Sequence, residues 1–129
     1  MRMHVRIVPN EDRPDAVTVT PYGPVDSDTY LDFSDKVTPL LTKTVKAIVL
    51  DLANVDYISS AGLGVLFTMK KHLKQNGGDL LFVNIKPQIK RIFEIVNALP
   101  KETLFKTTEE ADAYLYRMMN KEKEGGVND

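Results

Sequence analysis

The chain has 129 residues, of which 43% are hydrophobic and 27% are charged. This length and balance are typical of one soluble globular domain with its own core. The formal net charge is -1 with acids and bases interspersed, which argues against a nucleic-acid-binding surface or a polybasic membrane patch. Cysteine is absent, so disulfides and thiolate metal sites are excluded. The N-terminus is too poor in apolar residues for a signal peptide. No stretch approaches the ~20 apolar residues that cross a bilayer, so we expect a cytosolic protein without membrane contact.

The N-terminal part predicts two paired strands followed by a helix. Met3–Val8 alternates weakly, as in an edge strand, and Ala16–Tyr22 alternates with β-branched residues. Asp26-Ser27-Asp28 offers N-cap chemistry for the helix. Pro39 removes a backbone hydrogen bond and clashes with the preceding turn, so we expect the helix to end or kink near Thr38. The helical stripe consists of Phe33, Val37, Leu40 and Leu41.

The middle of the chain predicts a buried strand and a second helix. Val45–Leu52 is a nearly continuous apolar run, typical of a central strand that is covered on both faces. Asn76-Gly77-Gly78 ends the helix that follows, because glycine adopts the left-handed conformation without steric cost. The apolar side of this helix is predicted to carry Leu63, Leu66, Phe67 and Leu73. The solvated side is predicted to carry Lys70, Lys71, Lys74 and Gln75.

The C-terminal part predicts two further strands and two further helices. Leu80–Val83 is a buried strand, Pro87 begins a helix, and Leu104-Phe105 forms a short last strand. Thr107 and Glu110 have the spacing of a capping box for the final helix. The inward stripes consist of Ile89, Ile92, Phe93 and Val96 in the third helix, and of Ala111, Tyr114, Leu115 and Met118 in the final helix.

This order of elements predicts one small layered α/β domain over residues 1–120, with a mixed sheet of four to five strands and about four helices. The third and fourth strands are joined through a helix, so we expect them to be parallel with a right-handed crossover. Residues 121–129 have almost no apolar side chains and are predicted to form a disordered tail.

Two adjacent serines, Ser59 and Ser60, lie where the loop after the central strand meets the second helix. The first N–H groups of a helix have no intrahelical partner, and the peptide dipoles add partial positive charge. Such a position tolerates a phosphate group well. The pattern therefore indicates either a phosphorylated serine that controls binding or a serine, Ser60, that only caps the helix.

These motifs resemble the STAS domain, and most closely the stand-alone anti-sigma-factor antagonists of bacterial partner-switching systems. The resemblance covers residues 3–118. It is carried by Gly23-Pro24-Val25-Asp26, Ile48–Leu52, Tyr57–Gly64, Gly77-Gly78-Asp79 and Pro87–Phe93.

The resemblance implies a binding cycle. The unphosphorylated antagonist binds an anti-sigma factor that is also a serine kinase, and this binding frees the sigma factor. The kinase then phosphorylates the antagonist, which releases it, and a PP2C-type phosphatase restores it. The acceptor follows an aspartate in the family pattern and falls on Ser60 here, whereas Ser59 replaces the aspartate. This departure leaves open that Ser59 is the acceptor or that phosphorylation is weakened.

The resemblance also implies a set of partner-contacting residues. Asp26 is either a kinase contact or a cap of the first helix. Gly62 either allows a partner's backbone to approach or packs the helix over the sheet, whereas we interpret Gly64 as a packing glycine. The predicted partner-binding set consists of Asp26, Ser59, Ser60, Ala61, Gly62, Leu63, Lys70 and Lys74.

Two alternatives compete with the switch. A hydrolase is disfavoured because Ser60 is not in a Gly-x-Ser-x-Gly elbow and the chain has no Walker-type phosphate loop. We predict no catalytic residue, no cofactor and no metal site, since His4 and His72 lack further ligands. The second alternative is a STAS interaction subunit that is never phosphorylated, such as a sensory scaffold or a transporter accessory protein. The sequence leaves the oligomeric state and the controlled sigma factor open.

Overall fold

Two paired strands begin the fold, as the sequence predicts, and they run antiparallel. The structure is a computed structural model that describes residues 2–96 and 104–117. Strand β1 spans His4–Pro9 and strand β2 spans Ala16–Tyr22. The turn between them is held by the Asn10 side chain, whose Oδ1 accepts hydrogen bonds from the backbone N–H groups of Asp12 and Arg13 at 2.9 and 3.1 Å. An asparagine side chain that binds the backbone in this way stabilises a tight turn.

Helix α1 spans Tyr30–Val37 and continues as one tight 3-10 turn over Thr38–Leu40. The predicted end near Thr38 is confirmed, and the reason is that Pro39 cannot supply the N–H of a continued α-helix. The N-cap position is Thr29, one residue beyond the predicted segment.

The remaining strands extend the sheet in parallel. Strand β3 spans Ala47–Asp51, β4 spans Asp79–Val83 and β5 spans Leu104–Phe105. The five strands of the described residues lie in the order β1-β2-β3-β4-β5, and only the β1–β2 pair among them is antiparallel. The connecting helices are α2 (Ser60–Gln75), α3 (Pro87–Val96) and α4 (residues 108–117). The predicted α/β class with a mixed sheet is confirmed.

Both faces of β3 are buried, as its continuous apolar run predicts. Ile48 and Leu50 face the larger core, which α1, α2 and α3 cover. Ala47 and Val49 face a smaller core on the opposite side, which α4 covers through Leu115 and its neighbours. The sheet is therefore enclosed between two helical layers around β3, which fixes the direction in which the loop after β3 leaves the sheet.

Helix α2 differs from the prediction in which side chains it buries. Phe67, predicted to face the core, is 40% exposed, and Met69 is buried instead. Lys70, predicted to be solvated, has a side chain that is only 14% exposed. The helix ends as predicted, because Gly77 adopts a φ of 81° and the N–H of Gly78 donates to the carbonyl of Leu73 at 2.7 Å.

Helix α4 begins with a variant of the predicted capping box. The Thr107 hydroxyl accepts from the N–H of Glu110 at 3.1 Å, but the Glu110 carboxylate returns to the N–H of Lys106 at 3.0 Å. Met118, the predicted domain limit at residue 120 and the predicted tail at 121–129 lie outside the described residues. No helix within residues 2–96 and 104–117 has the length and apolar character needed to cross a membrane.

Candidate phosphorylation and partner-binding site

The loops that follow β2 and β3 are paired through their backbones. The N–H of Gly23 donates to the carbonyl of Asn54 at 2.9 Å. Val25 then bonds in both directions, donating to Tyr57 at 3.0 Å and accepting from the N–H of Ser59 at 2.9 Å. Val25 and Ile58 form an isolated parallel bridge. This pairing joins the loop that carries Asp26 to the loop that carries the two serines.

Ser59, and not Ser60, is the N-cap of α2. The backbone of Ser59 is extended, with φ -83° and ψ 174°, and its Oγ accepts from the N–H of Gly62 at 3.2 Å. The interpretation of Ser60 as the cap is therefore wrong. The bond from Ser59 N–H to Val25 holds Ser59 in the extended conformation that a cap requires, and the helix begins one residue later.

Ser60 is the first residue of α2 and is exposed. No hydrogen bond to its hydroxyl comes from any of the residues that the structure describes. Its side chain lies at the helix N-terminus, where backbone N–H groups lack helical partners. Ser60 therefore presents an accessible nucleophilic oxygen, whereas the Ser59 oxygen is half-buried and already accepts a hydrogen bond.

The choice that the sequence left open at Gly62 is resolved in favour of packing. A Cβ on Gly62 would lie 2.5 Å from the carbonyl oxygen of Val25 and 3.0 Å from a methyl carbon of Ile58. The absence of a side chain thus lets α2 begin directly against the paired loops. The packing role predicted for Gly64 is wrong, because a Cβ there would meet nothing within 4 Å.

Asp26 caps the turn that precedes α1 and not the helix itself. Its Oδ1 accepts from the N–H groups of Asp28 and Thr29 at 2.9 and 3.2 Å. The buried Thr29 hydroxyl accepts from the N–H of Asp26 at 2.9 Å and donates to the carbonyl of Pro24 at 2.7 Å. The alternative that Asp26 caps the first helix is wrong, because neither of these N–H groups belongs to α1, whose N-cap position is Thr29. The contact of Asp26 with a kinase stays a prediction. The pairing of the two loops places Asp26 and the serines on joined segments.

Charged side chains lie on and near the loop that carries Ser59 and Ser60. Asp56, four residues before Ser60, has a side chain that is 72% exposed and pairs with Lys86 from the loop after β4. Asp51 holds the exit of β3, since its Oδ1 accepts from the N–H of Ala53 at 3.0 Å and from the Asn84 side chain at 3.1 Å. Sequence analysis did not identify Lys86, because its proximity to Asp56 depends on the parallel pairing of β3 with β4.

An open groove of about 260 Å³ separates α1 from α2 and is called the α1–α2 groove below. Sequence analysis did not predict it, because it depends on how far the two helices stand apart. Its walls combine apolar side chains with hydroxyl-bearing ones. They include Tyr30, Ser34 and Val37 from α1 and Ala61, Gly64 and Val65 from α2.

Lys70 and Lys74 lie at the other end of α2 from the serines. Both pair with the carboxylate of Asp79, at 2.9 Å from Lys70 and 3.1 Å from Lys74. Ten residues of helix separate Lys70 from Ser60, which corresponds to ~15 Å along the axis. The lysines are therefore not adjacent to the loop that carries the two serines. The prediction that Lys70 is solvated is wrong, because Asp79 holds it against the start of β4.

The predicted partner-binding set is thus split by burial. Ser60 is exposed, and Asp26, Ser59 and Ala61 are half-buried. Gly62 and Leu63 are buried, so neither offers a side chain to a partner. We correct the set by removing these two residues, because Leu63 points into the main core and Gly62 is covered by Val25.

Comparison with known proteins gives the family and the relatives that the chain resembles. The STAS domain family matches residues 8–111. The anti-sigma factor antagonist BtrV of Bordetella bronchiseptica is 45% identical over 53 residues, which are 41% of this chain and 46% of that protein. The anti-sigma-B factor antagonist of Staphylococcus aureus is 33% identical over 73 residues, which are 57% of this chain and 68% of that protein. The segment aligned with BtrV thus spans less than half of that relative.

A solved structure has the same fold. The crystal structure of an anti-sigma factor antagonist from Thermotoga maritima superposes with a TM-score of 0.76 at 23% identity, covering 84% of this chain and 92% of that one. The family match covers most of the chain, and the resemblance predicted from the sequence motifs is confirmed. The chain therefore belongs to the STAS domain family, and its homologues and structural neighbours include anti-sigma factor antagonists.

Proposed function

We propose that this chain is an anti-sigma-factor antagonist whose binding surface is switched by phosphorylation of Ser60. In the unphosphorylated state it binds an anti-sigma factor with serine-kinase activity in the cytoplasm, which releases the sigma factor. The Ser60 Oγ then attacks the γ-phosphorus of ATP, loses its proton, and displaces ADP. A PP2C-type phosphatase hydrolyses the phosphoester and restores the serine. The chain supplies the acceptor and performs no catalysis of its own.

The exposed hydroxyl of Ser60 is the observation that carries the proposal. A kinase requires an acceptor oxygen that can be desolvated and aligned with the γ-phosphate. Ser60 meets this requirement without a change in the fold, because it is exposed and its oxygen has no hydrogen-bond partner among the described residues. Phosphorylation of Ser59 would remove the cap from the N–H of Gly62. The departure from the family pattern at position 59 therefore leaves the acceptor itself in place.

Charge explains how one phosphate would release the partner. A phosphoserine carries about -1.5 to -2 charges at neutral pH. Before modification the Asp56 carboxylate is balanced by Lys86 and Ser60 is uncharged, so a phosphate adds net negative charge to the paired loops that also carry Asp26. A misplaced charge at an interface costs several kcal/mol, and each ~1.4 kcal/mol lowers affinity tenfold. One phosphate is therefore sufficient to abolish binding.

The test uses the recombinant cognate anti-sigma-factor kinase with ATP, and intact-protein mass spectrometry as the readout. We expect one phosphate on the parent chain and on Ser59→Asn, which removes a hydroxyl while keeping a side chain that caps well. We expect none on Ser60→Ala. Phosphate on Ser60→Ala together with an unmodified Ser59→Asn would move the acceptor to Ser59.

Binding to the same kinase completes the test. Ser60→Ala should remain bound in the presence of ATP, whereas Ser60→Asp should bind weakly because it places a carboxylate at the interface. If Ser60→Ala and Ser60→Asp both bind as the parent does under ATP turnover, the switch proposal fails at this residue.

The alternative of an unphosphorylated STAS interaction subunit is favoured by one observation, the replacement of the family aspartate by Ser59. This subunit would belong to a sensory scaffold or to a transport system. The same experiment separates it from the switch, because stable kinase binding without phosphate on either serine would support the unphosphorylated subunit.

A further inference from the structure

Gly64 is a glycine that the fold of this chain does not require. It lies inside the 16-residue helix α2 and is exposed, and a Cβ added to it would meet no atom within 4 Å. Glycine is one of the least favourable residues in a helix interior. Gly62, two residues earlier, has a clear packing reason in its contact with Val25, and no such reason exists at Gly64. The bare backbone at Gly64 is therefore open to a contact from outside the chain.

Gly64 lies beside the proposed switch. Residues four apart on a helix are neighbours on one face, so Gly64 follows Ser60 by one turn. Phe67, with 40% of its surface exposed, continues the same face. The carbonyl of Gly64 accepts from the Thr68 hydroxyl at 3.0 Å. The backbone at Gly64 is thus exposed, and its carbonyl already has a hydrogen-bond partner.

Gly64 also forms part of the wall of the α1–α2 groove, together with Ala61 and Val65. Small-molecule sites usually enclose ~300–1,000 Å³ and bury most of the ligand. The groove holds about 260 Å³ and is open along one side, with Tyr30 and Val37 across from the glycine. These dimensions suit a protruding side chain from a protein better than an enclosed small molecule.

We propose that the anti-sigma factor lays a backbone segment across α2 at Gly64 and inserts an apolar side chain into the α1–α2 groove. This inference rests on the proposed function, and it names how the same partner is held. Continuity supports it, because Ser60, Ala61 and Gly64 are within one turn and Ala61 lies in the groove wall. A glycine allows a partner's backbone to approach closely, which any side chain would prevent. The phosphate on Ser60 would then lie at the edge of this contact.

The experiment measures binding to the recombinant cognate kinase with ADP bound, together with the unfolding of each free variant. Gly64→Ala should stabilise the free chain, because alanine favours the helix and fits without contact. It should nevertheless weaken kinase binding about tenfold, with a greater loss for Gly64→Gln. Ser34→Leu should also weaken binding, since it fills the groove from the α1 side. The control is Glu109→Gln, an exposed residue of α4 on the opposite side of the sheet, which should bind as the parent does.

If Gly64→Ala is more stable than the parent and yet binds the kinase more weakly, misfolding cannot explain the weaker binding. If the parent binds the kinase, Ser60→Asp does not, and both Gly64 variants bind as the parent does, this inference is overturned while the proposed function stands. If the parent itself does not bind the kinase, both are overturned. A parent dimer that Gly64→Gln converts to a monomer would place a second copy in the groove and also overturn the inference.

Discussion

The carbonyl oxygen of Val25 lies 2.5 Å from the position that a Cβ on Gly62 would occupy. Real side chains do not tolerate this distance, so a substitution must push α2 away from the paired loops. We expect Gly62→Ala to lower the free energy of unfolding by about 1–3 kcal/mol, as overpacked positions do. Denaturant unfolding checks this value, with Gly64→Ala as the matched control in the same helix. Equal stabilities for the parent and Gly62→Ala would contradict the observed packing.

The two serines should respond differently to substitution by alanine. Ser59→Ala removes the cap from the N–H of Gly62 and should cost about 1 kcal/mol of stability. Ser60→Ala removes an exposed hydroxyl without a described partner and should change stability by less than about 0.5 kcal/mol. Thermal unfolding of both variants tests the assignment of the N-cap. A larger loss for Ser60→Ala than for Ser59→Ala would reverse it.

Asp26 allows capping and kinase contact to be separated. Asp26→Asn keeps an oxygen that can accept from the N–H groups of Asp28 and Thr29, but it removes the charge. We expect parental stability and slower phosphorylation of Ser60 by the kinase, because the carboxylate is the predicted contact. Asp26→Ala should lose about 1 kcal/mol of stability as well. Parental phosphorylation kinetics in Asp26→Asn would leave Asp26 as a cap alone.

Acid should weaken the attachment of the N-terminal segment to α1. Asp32 accepts hydrogen bonds from Lys36 at 2.5 Å and from the N–H of Met3 at 2.6 Å, and these bonds hold the pKa of its carboxyl below the ordinary value. The folded pKa is lower than the unfolded one, so the stabilisation is present at neutral pH and is lost as the pH falls through the folded value, below about pH 4. Stability curves of the parent and Asp32→Asn should converge on acidification. Parallel curves would contradict this linkage.

Charge reversal at Lys74 tests whether the partner surface extends along α2. The Lys74 side chain is 57% exposed, so Lys74→Glu should leave the fold nearly intact, whereas Lys70→Glu would place a carboxylate against Asp79 in a half-buried pair. We expect Lys74→Glu to weaken kinase binding, as the sequence predicts. Lys43→Glu, the same charge change before β3, is the control. Unchanged affinity in Lys74→Glu would confine the interface to the serine end of the helix.

The sequence predicts the features of this fold that depend on local patterns. The apolar run of Val45–Leu52 is sufficient to predict a strand buried on both faces, because no amphipathic alternation interrupts it. Pro39 predicts the end of α1 for an equally local reason. Residue types that fix backbone geometry or remove a hydrogen bond act through their immediate neighbours, so their effects can be read without the rest of the structure.

Features that depend on contacts distant in sequence are not predictable in this way. Two adjacent serines are equally suited to cap a helix, and the backbone bond from Ser59 to Val25 decides between them. The half-buried state of Lys70 depends on Asp79, which begins the next strand. The burial of Gly62 likewise depends on Val25 in the loop after β2, which the helical pattern does not encode.

The pairing of Val25 with Tyr57 and Ser59 has a consequence for how a signal would be kept. The paired backbones give the acceptor a scaffold that is already ordered, so the proposed on and off states need not be two folds in equilibrium. Earlier kinase activity would then be marked by one phosphoester, which would remain until a phosphatase hydrolysed it. The lifetime of the phosphorylated state would be set by the abundance of the phosphatase and not by thermal motion of the protein.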